Sequence, residues 1–316
     1  MTAARRGWAR ALAGIAFGAL LISMTIVGAV AVPSASASGV WLEPSSAEQA
    51  NDFWTPARIQ MAKPLELRSD RAGASAADPA AIDSDFEQVP DPAAPGFRIH
   101  GVIVLSLGIF GYGRCSGTAV RSANKSVVIT AAHCLNSGSI SRWFPGEAAF
   151  VPAYRYGQRP FGVFPARWID TTKRWRTTDG SPNYDVGAMV VGRNEAGELL
   201  TEAVGAAKIA WGLKRAQSFD VHGYPAEDPF DGETQRLCDG TQYIGHDPHS
   251  LIFPGPLNLA VVCGVTGGAS GGGWMIRGDT INGVTSYGYF DEESPDYGPY
   301  FGKEVARLYG RAVRVK

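Results

Sequence analysis

Thr130-Ala131-Ala132-His133-Cys134 closes the β-branched run Ser126–Thr130 (SVVIT). Short apolar runs of this kind, bounded by turn residues, predict buried strands. The histidine then stands at a strand exit, with a cysteine beside it to tie the loop down. Taken alone, a histidine after a strand is more often a packed side chain than a catalytic one. Its reading depends on what else the chain can bring to it.

Two further stretches supply that context. Tyr184-Asp185-Val186-Gly187-Ala188-Met189-Val190-Val191 puts one carboxylate at the head of an apolar strand, where it can be buried and aimed. Asp170 and Asp179 are rival acids, but neither opens such a strand. Gly267-Gly268-Ala269-Ser270-Gly271-Gly272-Gly273 surrounds one serine with glycines, as required where backbone turns sharply and its N–H groups approach a substrate carbonyl. A serine hydroxyl is a weak nucleophile at neutral pH, and acyl transfer needs a base, an orienter for the base and oxyanion donors. His133, Asp185 and the Gly268–Ser270 turn offer all three.

Chain order separates this reading from its rivals. Gly268-x-Ser270-x-Gly272 also fits the nucleophile elbow of α/β-hydrolases, but that fold needs a histidine after the serine, and none follows Ser270. A subtilisin order needs an acid before His133, in a stretch that reads as linker or first strand.

The rest of the chain is consistent with an all-β body. It carries 39 glycines and 45% hydrophobic residues, and only 19% charged, which predicts a globular protein of short strands and tight turns rather than a disordered one. Strand-like runs recur at Gly101–Leu107, Cys115–Val120, Gly187–Val191, Ala207–Trp211, Gln217–His222, Leu259–Cys263, Gly273–Ile276 and Ile281–Ser286. Lys303–Val315 is the main helix expected, with Val305, Leu308 and Tyr309 on one face. The net charge of -1 and the absence of a basic block argue against a nucleic-acid partner.

Upstream of this body lie two segments of different character. Met1–Ala37 holds Arg5, Arg6 and Arg10, an apolar run from Ala11 to Val32 and small residues at Ala35-Ser36-Ala37, the three parts of an export signal cleaved after Ala37. An uncleaved anchor is the alternative. Either way the body lies outside the cytoplasm, with no lasting membrane insertion once the leader is removed. Residues 38–97 carry four Lys/Arg against ten Asp/Glu and read as a propeptide or linker. Within it Thr55 and Pro56 suggest an N-cap and first-turn proline of a short helix, while Asp78-Pro79-Ala80-Ala81 and Pro90-Asp91-Pro92 read as flexible. The expected organisation is therefore 1–37 signal peptide, 38–97 propeptide, 98–200 first barrel, and 201–316 second barrel with the terminal helix. Four cysteines in an oxidising compartment predict two disulfides, with three connectivities open.

TAAHC, an Asp opening an apolar strand, and GGASGG, in the order His, Asp, Ser, resemble the chymotrypsin-like serine peptidases. The closest likeness is to the secreted bacterial subgroup that includes glutamyl endopeptidase-like enzymes, over Gly101 to Val315. The resemblance implies two antiparallel Greek-key barrels and a serine endopeptidase acting on polypeptides as a monomer, with no cofactor and no metal. It makes Ser270 the nucleophile, His133 the general base and Asp185 its orienter, with the N–H groups of Gly268 and Ser270 as the oxyanion hole. Ser286, Tyr287 and Gly288 would bind extended substrate backbone, and Gly264, Thr266 and Thr285 would neighbour the primary pocket. Cys115 sits where the family pairs a cysteine with the one after the histidine, Cys134, which leaves Cys238 with Cys263.

The chain departs from the family in two places. Ala269 replaces the acid that in animal digestive members captures a new N-terminal amine. Cleavage at Arg98-Ile99 would therefore find no partner, and activation is expected to remove a steric or folding element instead. Gly264 and Thr285 give neither an acidic pocket floor nor a pocket histidine, which suggests a small or medium uncharged side chain in the substrate. The acidic run Asp291–Asp296 reads as a solvated loop. The competing function is a protease-like binding protein without turnover.

Overall fold

The structure is a computed structural model that describes residues 39–316 apart from 44, 68–85, 141, 145 and 290–294. The expected export leader lies outside the described residues, as do Asp78–Ala81 and the stretch 291–294. No helix among the described residues is long and apolar enough to cross a membrane.

The N-terminal segment folds as β1 (Val40–Trp41), α1 (Ala47–Phe53), α2 (Pro56–Met61), β2 (Lys63–Pro64) and β3 (Glu87–Gln88). The first barrel follows as β4 (His100–Ser106), β5 (Tyr112–Val120), β6 (Val127–Thr130), β7 (Ala148–Pro152), β8 (Phe164–Thr171) and β9 (Gly187–Val191), with α3 (Lys173–Thr177) before β9. Its strands pair antiparallel in the cycle β4-β5-β6-β9-β8-β7 and back to β4, which closes the sheet. Closure leaves no free edge among these six strands.

After α4 (Leu200–Val204) come β10 (Lys208–Ile209), β11 (Ser218–Gly223), β12 (Arg236–Gln242), β13 (Leu259–Val261), β14 (Gly273–Ile276), β15 (Thr280–Val284) and β16 (Asp296–Gly298), then α5 (Lys303–Ala312). With β3 they form a six-stranded sheet in the order β10-β15-β14-β11-β12-β3, and a β13-β16 ribbon that bridges to Gly245 after β12 and to Tyr287 after β15. The expected pair of β-domains is present, the first a closed barrel and the second a sheet plus ribbon. Although α5 follows the second domain in sequence, its Val305, Leu308 and Ala312 join the core of the first.

The apolar run of β4 is continuous because both of its faces are covered. Ile103 and Leu105 point into the barrel core, while Val102 and Val104 point outward. Outside they meet Ala50, Trp54 and Ile59 of the N-terminal segment, together with Ala149, Val151 and Tyr154. Trp54 is fully buried there. A strand buried on one face alternates apolar and polar residues, and one buried on both does not.

The segment expected to be propeptide or linker is thus ordered where it is described. Ser46 and Gln49 form a capping box at the start of α1. Thr55 caps α2, accepting from the Arg58 amide, with Pro56 at its first position. Phe86 is buried in the second core and β3 pairs with β12. Pro90-Asp91-Pro92, read as flexible from sequence, is a turn whose neighbour Val89 is buried and bonded to Gln235. Tertiary contacts there outweigh the local preference of a Pro- and Asp-rich sequence.

Candidate active site

His133 leaves β6 in the turn Ala131–Asn136, and the imidazole is almost wholly enclosed. Nδ1 lies 2.7 Å from Asp185 Oδ2, and the backbone amide of His133 donates to Asp185 Oδ1 at 2.8 Å. A short helical turn, Pro182–Tyr184, delivers Asp185 to this position just ahead of β9. Ser286 Oγ donates to Asp185 Oδ2 at 2.5 Å. The carboxylate thus accepts three hydrogen bonds in a fully buried site, which fixes its plane and that of the imidazole. The rival acid Asp170 is taken up elsewhere, between Arg176 at 2.9 Å and Arg311 at 2.6 Å.

Ser270 is held beside this pair by its backbone. Its carbonyl accepts from the Ser116 amide at 2.8 Å and lies 3.7 Å from Cys134 Sγ. Gly271, at φ +82°, shows why the serine is flanked by glycine: a Cβ there would fall 2.7 Å from the Ala131 amide nitrogen. Only glycine lets the serine turn pack so closely on the histidine strand. Among the described residues, the amides of Gly268 and Ser270 donate to no acceptor. Ser116 Oγ donates to the Gly268 carbonyl at 2.9 Å, which fixes the orientation of that peptide.

No hydrogen bond joins Ser270 Oγ to His133 among the described residues. Nε2 of His133 instead faces the main-chain carbonyl of Leu65 at 3.1 Å. This carbonyl arrives on a strap that leaves α2, pairs parallel to β5 (Lys63 with Gly113, Pro64 with Arg114) and continues through Leu65 N–H to the Arg114 carbonyl. Glu66 then passes against Gly267, and Leu67 packs on the Ala260, Tyr287 and Tyr297 cluster. Sequence reading missed the strap. Its residues carry no motif, and what places them is the burial of Trp54 and Ile59 upstream.

The expected substrate-binding residues divide into two groups. Ser286, Tyr287 and Gly288 follow β15, and the amides of Ser286 and Tyr287 both donate to the Tyr297 carbonyl. The Tyr287 hydroxyl donates to Asp247 at 2.8 Å and accepts from Asn258 at 2.6 Å, so this ring is locked. Thr285, expected at the pocket, is buried and its Oγ1 accepts from Trp274 Nε1 at 3.0 Å; that side chain supports the core. Thr266 Oγ1 donates to the Glu227 carbonyl at 3.0 Å. Gly264 sits in a turn at φ +67°.

Cys115 and Cys134 form a disulfide. The second expected pair does not form: Cys238 and Cys263 are both buried in the second core without a bond between them. Cys238 Sγ is directed at the Val262 carbonyl, 3.7 Å away. An even cysteine count carries no information on side-chain direction, and direction decides bonding. The Arg98-Ile99 peptide also differs from an activation site, since Ile99 is buried and Arg98 Nε donates to the Val204 carbonyl. Asp296, read as part of a solvated loop, is a buried residue of β16.

No protein-family model and no curated protein sequence matches the chain. Solved structures do. The protease Anisep from Arthrobacter nicotinovorans is 32% identical, with a TM-score of 0.62 over 71% of this chain and 99% of its own. The thermostable serine protease AL20 from an extremophilic microorganism is 33% identical, with a TM-score of 0.62 over 69% of this chain and 98% of its own. A Glu endopeptidase shares the fold at 17% identity and a TM-score of 0.59, over 74% of this chain and all of its own. With about a third of the aligned positions identical across nearly the full length of two such enzymes, the chain belongs to the chymotrypsin-like serine peptidase family.

Proposed function

We propose that the chain is a secreted serine endopeptidase made as a self-blocked precursor. His133, Asp185 and Ser270 carry the chemistry. Ser270 Oγ attacks the scissile carbonyl as its proton passes to His133 Nε2. The Gly268 and Ser270 amides receive the oxyanion, and the imidazolium then protonates the leaving amine. Water, deprotonated by the same imidazole, releases the acyl group. Asp185 holds the Nδ1–H tautomer and stabilises the positive ring. Export is supported by the N-terminal leader pattern and by the Cys115–Cys134 disulfide, a bond that persists in oxidising compartments.

The observation that carries this reading is the enclosed His133–Asp185 contact, with the Ser270 turn packed on the same strand end. The self-blocked state rests on Leu65. Its carbonyl faces Nε2 at 3.1 Å, while Nδ1 faces Asp185 at 2.7 Å. The strap carbonyl thus occupies the approach to the nitrogen that would take up the Ser270 proton. The strap also fills the cleft that a substrate backbone would enter.

A fluorophosphonate probe tests the function, because it labels only an activated serine. Exported protein freed of the strap is expected to be labelled and to digest casein, and Ser270→Ala to lose both, with turnover down by several orders of magnitude. A freed protein that binds polypeptides but takes no label is a binding protein on a protease fold, and the enzyme assignment then fails.

A further inference from the structure

The strap lies against the residues assigned to catalysis and substrate binding. From His133 it passes Gly267 at Glu66 and reaches Tyr287 and Tyr297 at Leu67. Beneath that course lies one carboxylate that the catalytic reading does not use. Asp296 opens β16 and is 4% exposed. Its Oδ2 accepts from the Val265 amide at 3.4 Å, and the amides of Cys263 and Gly264 lie near enough to favour its ionised form. Its Oδ1 lies 3.5 Å from where a Cβ on Gly288 would stand.

The two segments that enclose Asp296 both lead directly to the reacting groups. The turn at Cys263-Gly264-Val265 runs into the Ser270 loop. Gly288 follows Ser286, which is bonded to Asp185. At Gly264 and Gly288 these walls have no side chain, so nothing from them covers the carboxylate. Near the path of Glu66, the Glu227 carboxylate approaches Gly267 and adds a second negative charge at the rim.

Among the described residues, no Lys, Arg or His side chain pairs with Asp296. An ionised carboxylate has about four acceptor positions, and the amides beside Oδ2 leave room for a further donor at Oδ1. Buried charges are ordinarily paired, because isolating one from water costs several kcal/mol. Burial also raises the carboxyl to about 7 against the lowering by the neighbouring amides, consistent with a group that lacks a counter-charge.

Resting on the serine peptidase reading, we propose that Asp296 forms the floor of the primary specificity pocket and selects substrates with Lys or Arg on the acyl side of the scissile bond. Such a floor stands against the uncharged preference suggested by Gly264 and Thr285. The acid is supplied from β16, which comes after the serine in sequence and reaches the pocket from beneath.

Exported, strap-free protein is assayed on tetrapeptide aminomethylcoumarins that differ only in the residue before the reporter, with fluorophosphonate labelling run in parallel. Arg and Lys are expected to exceed Leu, Ala, Phe and Glu by about 100-fold or more in kcat/KM. Asp296→Asn should lose at least about 30-fold on Arg and Lys, mainly through KM, with Leu and Ala changed less than about threefold and labelling retained. A labelled enzyme that prefers apolar or acidic residues overturns the assignment, as does a variant that loses all substrates equally. Absence of labelling in the parent removes the peptidase reading itself and this one with it. If Asp296→Asn does not fold, the parent decides: benzamidine must slow labelling where uncharged benzamide does not, and equal effects overturn the proposal.

Discussion

The Leu65 carbonyl lies 3.1 Å from Nε2 of His133, the nitrogen that takes the Ser270 proton in the proposed mechanism. The strap that delivers it is short, and its attachment comes from elsewhere: Trp54 and Ile59 pack on the outward face of β4 and β7, distant in sequence from the cleft. Loosening the anchor should therefore release the block without altering any reacting group. Trp54→Ala removes a fully buried ring, a change that commonly costs about 3–5 kcal/mol. In the full-length chain, fluorophosphonate labelling of Ser270 should rise at least tenfold in Trp54→Ala, with Ser270→Ala as the blank. Equal labelling of parent and variant would show that the strap does not inhibit.

Ser286 has two expected roles, and one measurement separates them. As part of the cleft it would bind substrate; through its 2.5 Å hydrogen bond it also orients Asp185. Hydrogen bonds to charged groups contribute about 1.5–3 kcal/mol. Ser286→Ala is accordingly expected to lower kcat by about 10-fold or more in strap-free protein, with KM within about twofold of the parent. A rise in KM at constant kcat would assign the hydroxyl to substrate binding instead.

How much of this was legible in sequence follows from how local each signal is. His133 and Ser270 sit in short motifs whose glycines and small residues exist to satisfy close backbone approach, as Gly271 against Ala131 demonstrates. Asp185 was readable because the apolar strand it opens is continuous in sequence. Leu65 was not, since its role belongs to its carbonyl and any residue has one. The unbroken apolar run Val102–Leu105 did hold a signal: both faces of that strand needed covering, and the cover had to come from somewhere. Asp296 was hidden among acids that composition assigns to solvent. Only the folded chain puts it under the turn at Gly264.

The stacked pair His100 and His222 makes stability fall in acid. Their rings are 3.9 Å apart and 11° from parallel, and both are buried between the two β-domains. His100 Nδ1 meets Thr118 Oγ1 and His222 Nδ1 meets Gln235, with Phe97 alongside and no carboxylate against either ring among the described residues. Burial pushes His222 down to about 3, and burial with the neighbouring imidazole holds His100 well below its ordinary value. The unfolded chain takes up these protons near pH 6.5 and the folded one refuses them. Their contribution is therefore complete above about pH 6.5 and is lost as pH falls toward 3, by up to about 1.4 kcal/mol per pH unit for each ring. Urea midpoints between pH 8 and 4 should drop less steeply in His222→Gln, and matching slopes would exclude the pair as the cause.

Asp296 bends the same curve in the opposite direction. Its carboxyl is raised to about 7 by burial, above its value in the unfolded chain. A raised carboxyl binds its proton more tightly when folded, so its stabilising contribution is present at pH 4 and is lost as pH climbs through 7. The neutral amide of Asp296→Asn keeps an acceptor for the Val265 amide but has no charge to bury. In strap-free protein without substrate, the variant should match or fall below the parent at pH 4 and exceed it at pH 8, by an amount on the order of a few kcal/mol. Benzamidine should close that gap at pH 8 by stabilising the parent alone. A variant weakened equally at both pH values would mean that Asp296 simply ties down the turn at Gly264, with no unpaired charge for a substrate cation to meet.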